Sequence, residues 1–288
     1  ALMAQIHDRM PVILPPDDYG RWMTCAPADA QALIQPYDDQ RMRAYVQVLR
    51  GARALFDASD EVTAADWKAY VSALALEDGF PGIQGIGFSQ YVPASGVENH
   101  VARMRALGQS GYAIHPPGPR TEYSSIVYLE PLNWRNQRAL SYDMLSEPVR
   151  REAMERARRS GKAALSGKVR LIQETDHDTQ TGVLLYLPAY GHHQPVDTEE
   201  QRSAALIGWV YSPFRMTDLM TGTLGRMSAT LRLRIYDGDT AGSSALLFDS
   251  HPGDRDGFDL ATLSLSREIE GRKWLLVFEQ RREAEADV

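Results

Sequence analysis

Apolar side chains recur at Met42, Tyr45, Leu49, Ala52 and Phe56, alternately three and four positions apart. That spacing predicts a helix over 40–57 with all five on one face. Its heptad character leaves two uses open: packing on its own domain, or contact with a second copy. Thr63-Ala-Ala-Asp66 has the form of a capping box with Asp in place of Glu. It opens a second helix with Trp67, Tyr70, Val71 and Leu74 on one face and Gly79 at its end. Gly82 to Val92 reads as a strand whose glycines mark a close backbone approach or a bulge. Val97 to Leu107 reads as a helix stopped by Gly108. Ser125 to Leu129 is β-rich. Glu147 to Arg159 is helical, with Ser146 as N-cap, Pro148 in the first turn and Gly161 past the end.

Further strands are expected over Val169–Ile172, Gly182–Tyr190, Ala204–Ser212, Ala245–Asp249 and Lys273–Glu279, with a short helix over Met216–Leu224. Leu231, Leu233 and Ile235 alternate with Arg232, Arg234 and Tyr236, as a half-buried strand requires. Long helices first, then two helix-plus-sheet batches without regular βαβ alternation, predict an α+β fold with antiparallel sheets. The polar stretch 194–202 is the expected seam between the batches. The first 39 residues carry Pro11, Pro15, Pro16, Pro27 and Pro36, which exclude a long helix there.

The chain has 288 residues, ample for a real core, and a formal charge of −7. An acidic chain is a poor binder of phosphate backbones, so no nucleic-acid partner is expected. The single cysteine, Cys25, excludes an internal disulfide framework and a cysteine-rich zinc site. No apolar run is long enough to span a membrane, and no signal peptide is visible. The chain begins with Ala, as a processed product or a fragment would.

Phosphate-loop, nucleophile-elbow and zinc-protease motifs are absent from the sequence. His177 lies in the acidic run Glu174-Thr-Asp-His-Asp178, which reads as a metal ligand or a solvated hairpin tip. His192-His193 reads as a metal site or a solvated turn. Asp143 lies between an aromatic-rich stretch (Tyr128, Trp134, Tyr142) and a capped helix. It can accept hydrogen bonds from a flat ligand, or it can cap the helix that follows. One polar anchor among aromatics fits binding better than turnover, and no paired acid and base stands out. No metal or cofactor is implied.

Phe80-Pro-Gly-Ile-Gln-Gly-Ile-Gly-Phe88 resembles the CHASE domain, the extracytoplasmic sensory module of receptor histidine kinases and nucleotide cyclases. The likeness extends to Leu49–Ser59, Trp67–Tyr70, Tyr128–Pro131, Asn136 with Asp143, Ala164–Gly167, Val169–Leu171 and Leu187–Tyr190. It implies stalk helices over 40–77 and two PAS-like subdomains. The membrane-distal one, 78–193, would bind a small molecule, and the membrane-proximal one would cover 194–288. In cytokinin-sensing members an Asp matching Asp143 binds the adenine-like ring. Leu165 would supply a backbone contact and Thr175 a side chain. Tyr128, Tyr142 and Tyr186 complete the ligand-binding candidates. The resemblance further implies a non-enzymatic sensor, a homodimer through the 42–56 helix, flanking membrane helices absent from this chain, and a periplasmic or extracellular location.

Residues 1–45 resemble a C-terminal fragment of SRAP proteins, which crosslink to abasic DNA. Ala1–Pro16, Tyr19–Trp22 and Met42–Tyr45 carry the likeness, and His7 matches that family's active-site histidine. The family's nucleophile is an N-terminal cysteine upstream of this motif, a position Cys25 does not fill. Residues 1–39 are therefore expected to be poorly integrated with the rest. A degenerate SRAP-like protein acting on abasic single-stranded DNA, or a ligand-free dimerisation scaffold, are the alternative functions.

Overall fold

The structure is a computed structural model that describes residues 37–80, 82–174, 179–224, 231–254 and 261–280. The N-terminal SRAP-like stretch up to residue 36, with His7 and Cys25, lies outside the described residues, as do Thr175 and His177.

Helix α1 (Tyr37–Ala58) carries the apolar seam, and all five seam residues are buried. Tyr45 meets Phe80 and Phe214, and Phe56 lies 4.3 Å between ring centroids from Phe88. The seam thus packs inside the chain, one of the two uses its spacing left open. Helix α2 (Ala64–Ala73) opens with the expected box: Thr63 Oγ1 accepts from Asp66 N–H, and Asp66 Oδ2 accepts from Thr63 N–H. The helix stops before Gly79, because Ala75 adopts a left-handed backbone (φ 47°) that breaks it from the short α3 (Leu76–Gly79).

The first compact unit, Tyr45–Arg215, is built on a six-stranded antiparallel sheet. Its strands are β1 (Ile86–Pro93), β2 (Glu122–Glu130), β3 (Ala164–Leu165), β4 (Val169–Arg170), β5 (Thr181–Tyr190) and β6 (Leu206–Arg215). They run in the order β2-β1-β6-β5-β3, with β4 also on β5. Helix α4 (Val97–Ala106) follows β1. Helix α5 (Pro148–Ser160) packs on the sheet and α6 (Glu199–Ala205) packs on α5. The N-cap of α5 is Glu147, one residue later than expected, its carboxylate accepting from Val149 and Arg150 N–H. Ser146 instead donates to the Asp143 carbonyl at 2.5 Å. Stretch 194–202 is therefore no seam. It leads through the capping box of α6, Thr198 with Gln201, into β6, a central strand of this sheet.

The second unit takes the described residues from Met216 onward together with those up to Ala44. Its described part holds α7 (Met216–Leu224) and the antiparallel strands β7 (Leu231–Asp237), β8 (Leu246–Asp249), β9 (Ala261–Ile269) and β10 (Arg272–Gln280), ordered β8-β7-β10-β9. Strand β9 was not anticipated from the sequence. Leu233 and Ile235 are buried while Arg232 pairs with Asp249 and Arg234 with Glu279, the division the alternation predicts.

Candidate functional site

The sheet of the first unit has two differently furnished faces. Phe56, Trp67, Phe88 and Tyr128 form an aromatic cluster under α1 and α2, and Trp67 Nε1 donates to the Ile86 carbonyl at 3.1 Å. The face toward α5 carries Ile126, Leu129, Tyr186, Trp209 and Tyr211, packed with Met144, Leu145, Ala153 and Met154. Among these apolar groups stand several buried polar ones.

Asp143 is fully buried at the mouth of the 3-10 turn Met144–Ser146. Its backbone bridges to Ser125 of β2, and its N–H donates to the His115 carbonyl at 2.7 Å. Oδ1 accepts from Ser124 N–H at 2.8 Å and Leu145 N–H at 3.1 Å. Oδ2 has no hydrogen bond, and the Arg120 guanidinium lies 3.4 Å from it. Burial pushes this carboxyl above the usual range, while the Ser124 N–H, Arg120, the Leu145 N–H and Arg151 hold it back. The capping reading holds for Oδ1, while Oδ2 faces the Arg120 guanidinium without a hydrogen bond. Arg120 is itself anchored, donating to the Pro116 and Gly118 carbonyls and lying over the Tyr123 ring.

Two polar chains run beside it. Ser124 and Ser89 share a short hydroxyl–hydroxyl hydrogen bond. The Ser125 hydroxyl bonds Tyr112 at 2.5 Å, and the Tyr112 hydroxyl bonds His100 Nε2 at 2.8 Å. Burial drives His100 down to about 4 and Tyr112 up to about 12. His100 is therefore a neutral imidazole at neutral pH.

Next to Asp143, Tyr142 lies under Arg150, whose Nη1 donates to the tyrosine hydroxyl at 3.4 Å. Arg150 is only 3% exposed, and its Nη2 donates to the Arg170 carbonyl at 2.8 Å. Tyr186 is fully buried, its hydroxyl directed to Met144 Sδ at 3.3 Å and its ring centroid 6.1 Å from that of Tyr211. The Tyr211 hydroxyl is buried without a hydrogen bond. Gly87, opposite Tyr211 across β1 and β6, makes room for that ring, since a Cβ there would lie 2.5 Å from it.

Asp143, Tyr142 and Tyr186 therefore gather around the Met144 turn on the α5 face. Leu165 is buried on β3, and its carbonyl accepts from Arg156 Nη2 at 2.6 Å. Tyr128 lies on the helix face, its hydroxyl donating to the Val62 carbonyl at 2.8 Å. Arg120, Arg150, Ser124 and Tyr211 were not singled out from the sequence. Only the aromatic pattern of β6 hinted at Tyr211 and the first turn of α5 at Arg150. The His192-His193 pair has stacked rings 3.7 Å apart, with His192 Nδ1 at 3.1 Å from Asp60 Oδ1. Among the described residues no group of three or more His, Cys, Asp or Glu is placed to hold a metal ion.

The family model of the CHASE domain matches residues 60–248, about two-thirds of the chain. The chain belongs to the CHASE domain family. That family is a class of extracytoplasmic sensory domains, and the match spans the whole α5-face site. A second family model, SOS response associated peptidase (SRAP), matches residues 1–49. Among curated relatives, Histidine kinase 2 of Arabidopsis thaliana is 29% identical over 142 residues, covering 48% of this chain and 12% of that protein. Probable histidine kinase 4 of Oryza sativa subsp. japonica is 30% identical over 169 residues, 54% of this chain and 15% of that protein. The chain thus spans a small part of the length of these kinases. Among solved structures, the ligand-binding domain of the Pseudomonas aeruginosa PAO1 amino acid chemoreceptor PctB, in complex with L-Arg, superposes with a TM-score of 0.45 at 9% identity, covering 86% of this chain and 90% of that one. Among the described residues no helix is long and apolar enough to cross a membrane.

Proposed function

We propose that this CHASE domain is a non-catalytic sensor whose small-molecule ligand docks on the α5 face of the first unit, donating an N–H to Asp143 Oδ2. The observation that carries this reading is the fully buried carboxylate oxygen without a hydrogen bond. An unspent buried acceptor costs free energy that a donor returns on binding. Arg120 balances the charge at 3.4 Å and stands where an incoming donor must compete with it. Tyr142 and Tyr186 supply the flanking aromatic surface, with Leu165 and Thr175 as the further contacts that family likeness assigns. The ligand is read on the outer side of the membrane, in the periplasm or the extracellular space.

Transmission follows from the two-faced sheet. A shift of β1 and β2 at Ser89 and Ser124 moves Phe88 and Tyr128, which the aromatic cluster ties to α1 and α2. Ligand that prefers one arrangement of this sheet biases the stalk helices by the difference in its affinity for the two.

The test is a thermal-shift screen against adenine derivatives, amino acids, small organic acids and indoles, with Asp143→Asn in parallel. A ligand at one hundred times its Kd stabilises the native state by about 2.7 kcal/mol. The expected result is a raised melting point in the wild type that is lost in Asp143→Asn, whose amide turns an N–H toward Arg120. A ligand that shifts both proteins equally sinks the assignment of Asp143.

A further inference from the structure

At the far end of α5 lies a cleft of about 600 Å³, lined by Arg53, Asp57, Lys162, Tyr190, His192, His193 and Arg202 among others. Helix α5 has 13 residues, so its two ends, and with them this cleft and Asp143, lie roughly 18 Å apart. The cleft size is that of a small-molecule site, but its lining is charged rather than apolar.

Three cations reach it from three elements: Arg53 from α1, Lys162 from the segment after α5, and Arg202 from α6. Cations near the C-terminus of α5 are ordinary complementarity to the helix dipole, which accounts for Lys162 and for Arg202, whose Nε donates to the Arg159 carbonyl in the last turn. Arg53, reaching in from α1, has no such explanation. Each of the two arginines still keeps a donor nitrogen without a hydrogen bond. Arg53 Nε is buried without a hydrogen bond, 3.4 Å from Asp57 Oδ2. Arg202 uses Nε and Nη1 on the carbonyls of Arg159, Val196 and Asp197, which fixes its plane and leaves Nη2 over. The Lys162 ammonium has no hydrogen-bond or ion-pair partner among the described residues. Against these stand one lining carboxylate, Asp57, and two flanking ones: Asp60, held by His192, and Glu200, beside Arg202 on α6. In the lining itself three cations face one carboxylate, and a concave surface with such an excess of one charge concentrates counter-ions of the other.

We infer that this cleft is a second ligand site of the domain, taking a small polyanion of the carboxylate or phosphate class. The anion bridges Arg53, Lys162 and Arg202, and so ties α1 to the end of α5. The inference is independent of the Asp143 reading.

The experiment is isothermal titration calorimetry of citrate and of inorganic phosphate into the full chain, at ionic strength held constant with sodium chloride. It compares the wild type with Arg53→Gln/Lys162→Gln and with Asp143→Asn. Saturable binding of at least one anion is expected, weakened about a hundredfold in the double variant and unchanged in Asp143→Asn. Which anion binds more tightly separates the carboxylate from the phosphate class. Circular dichroism checks that the double variant is folded. Lys162→Gln alone, an exposed side chain, repeats the comparison with an expected loss of about tenfold. No saturable binding of either anion overturns the proposal, as does binding that survives the charge removals. Loss in Asp143→Asn instead would place the anion at the other site and overturn it equally.

Discussion

Asp143 illustrates what a residue-level reading can reach. Its position between aromatics and a helix start marks it in the sequence as either cap or ligand acceptor, and in the structure Oδ1 takes the cap while Oδ2 faces Arg120 without a hydrogen bond. Its partner Arg120 lies 23 positions earlier in a polar loop, with no local pattern to connect the two. His100 is comparably hidden, since nothing around it in sequence marks a buried imidazole. Its folded-state pKa near 4 lies below its ordinary 6.5. The unfolded chain therefore takes up the proton first, and stability falls as pH drops from 6.5 through about 4, by roughly 3 kcal/mol in total. Urea titrations of the wild type and His100→Gln across that range check this, with the difference between them shrinking at low pH. Gly87 was recognised as a place of close approach, and the approaching group is the Tyr211 ring. Gly87→Ala overfills that spot and is expected to cost about 1–3 kcal/mol, measured as a lower urea midpoint.

Elements with local causes were the most legible. The Thr63–Asp66 box, the Gly161 stop at φ 70° and the alternating β7 all act within a few residues, so spacing alone announces them. Thr63→Ala is expected to lower stability by about 1 kcal/mol through loss of the cap, read from the thermal midpoint. Tyr128 went the other way. A simple alternation places it on the same face as Ile126, two residues earlier. The register of β1 and β2 shifts between Phe88 and Ser89, so Phe88 faces Tyr128 while Ser89 faces Ile126 and the intervening Val127 is skipped. That bulge turns Tyr128 to the helix face and leaves Ile126 on the α5 face. A bulge depends on the partner strand, which no single strand announces.

For the whole molecule, the division of the chain is the clearest case. The polar stretch before α6 looks like a boundary, yet β6 inserts between β1 and β5 and the first unit closes only at Arg215. A protein cut to residues 37–215 keeps the complete first sheet and is expected to unfold cooperatively and retain ligand response. One cut at residue 193 loses a central strand and is expected to be unfolded by circular dichroism. Cooperative folding of the shorter piece would refute the assigned boundary.

The sequence by itself determined the helix faces, the Thr63–Asp66 cap, the α+β class and the family to which residues 60–248 belong. These rest on short-range spacing and on ordered motifs that any reading of the chain preserves. The tertiary structure alone decided which face Tyr128 takes, what stands opposite Asp143, and how three cations from three elements share one cleft. Each of those depends on strand register or on loop closure between positions far apart in the chain, where contact geometry replaces spacing as the governing physics.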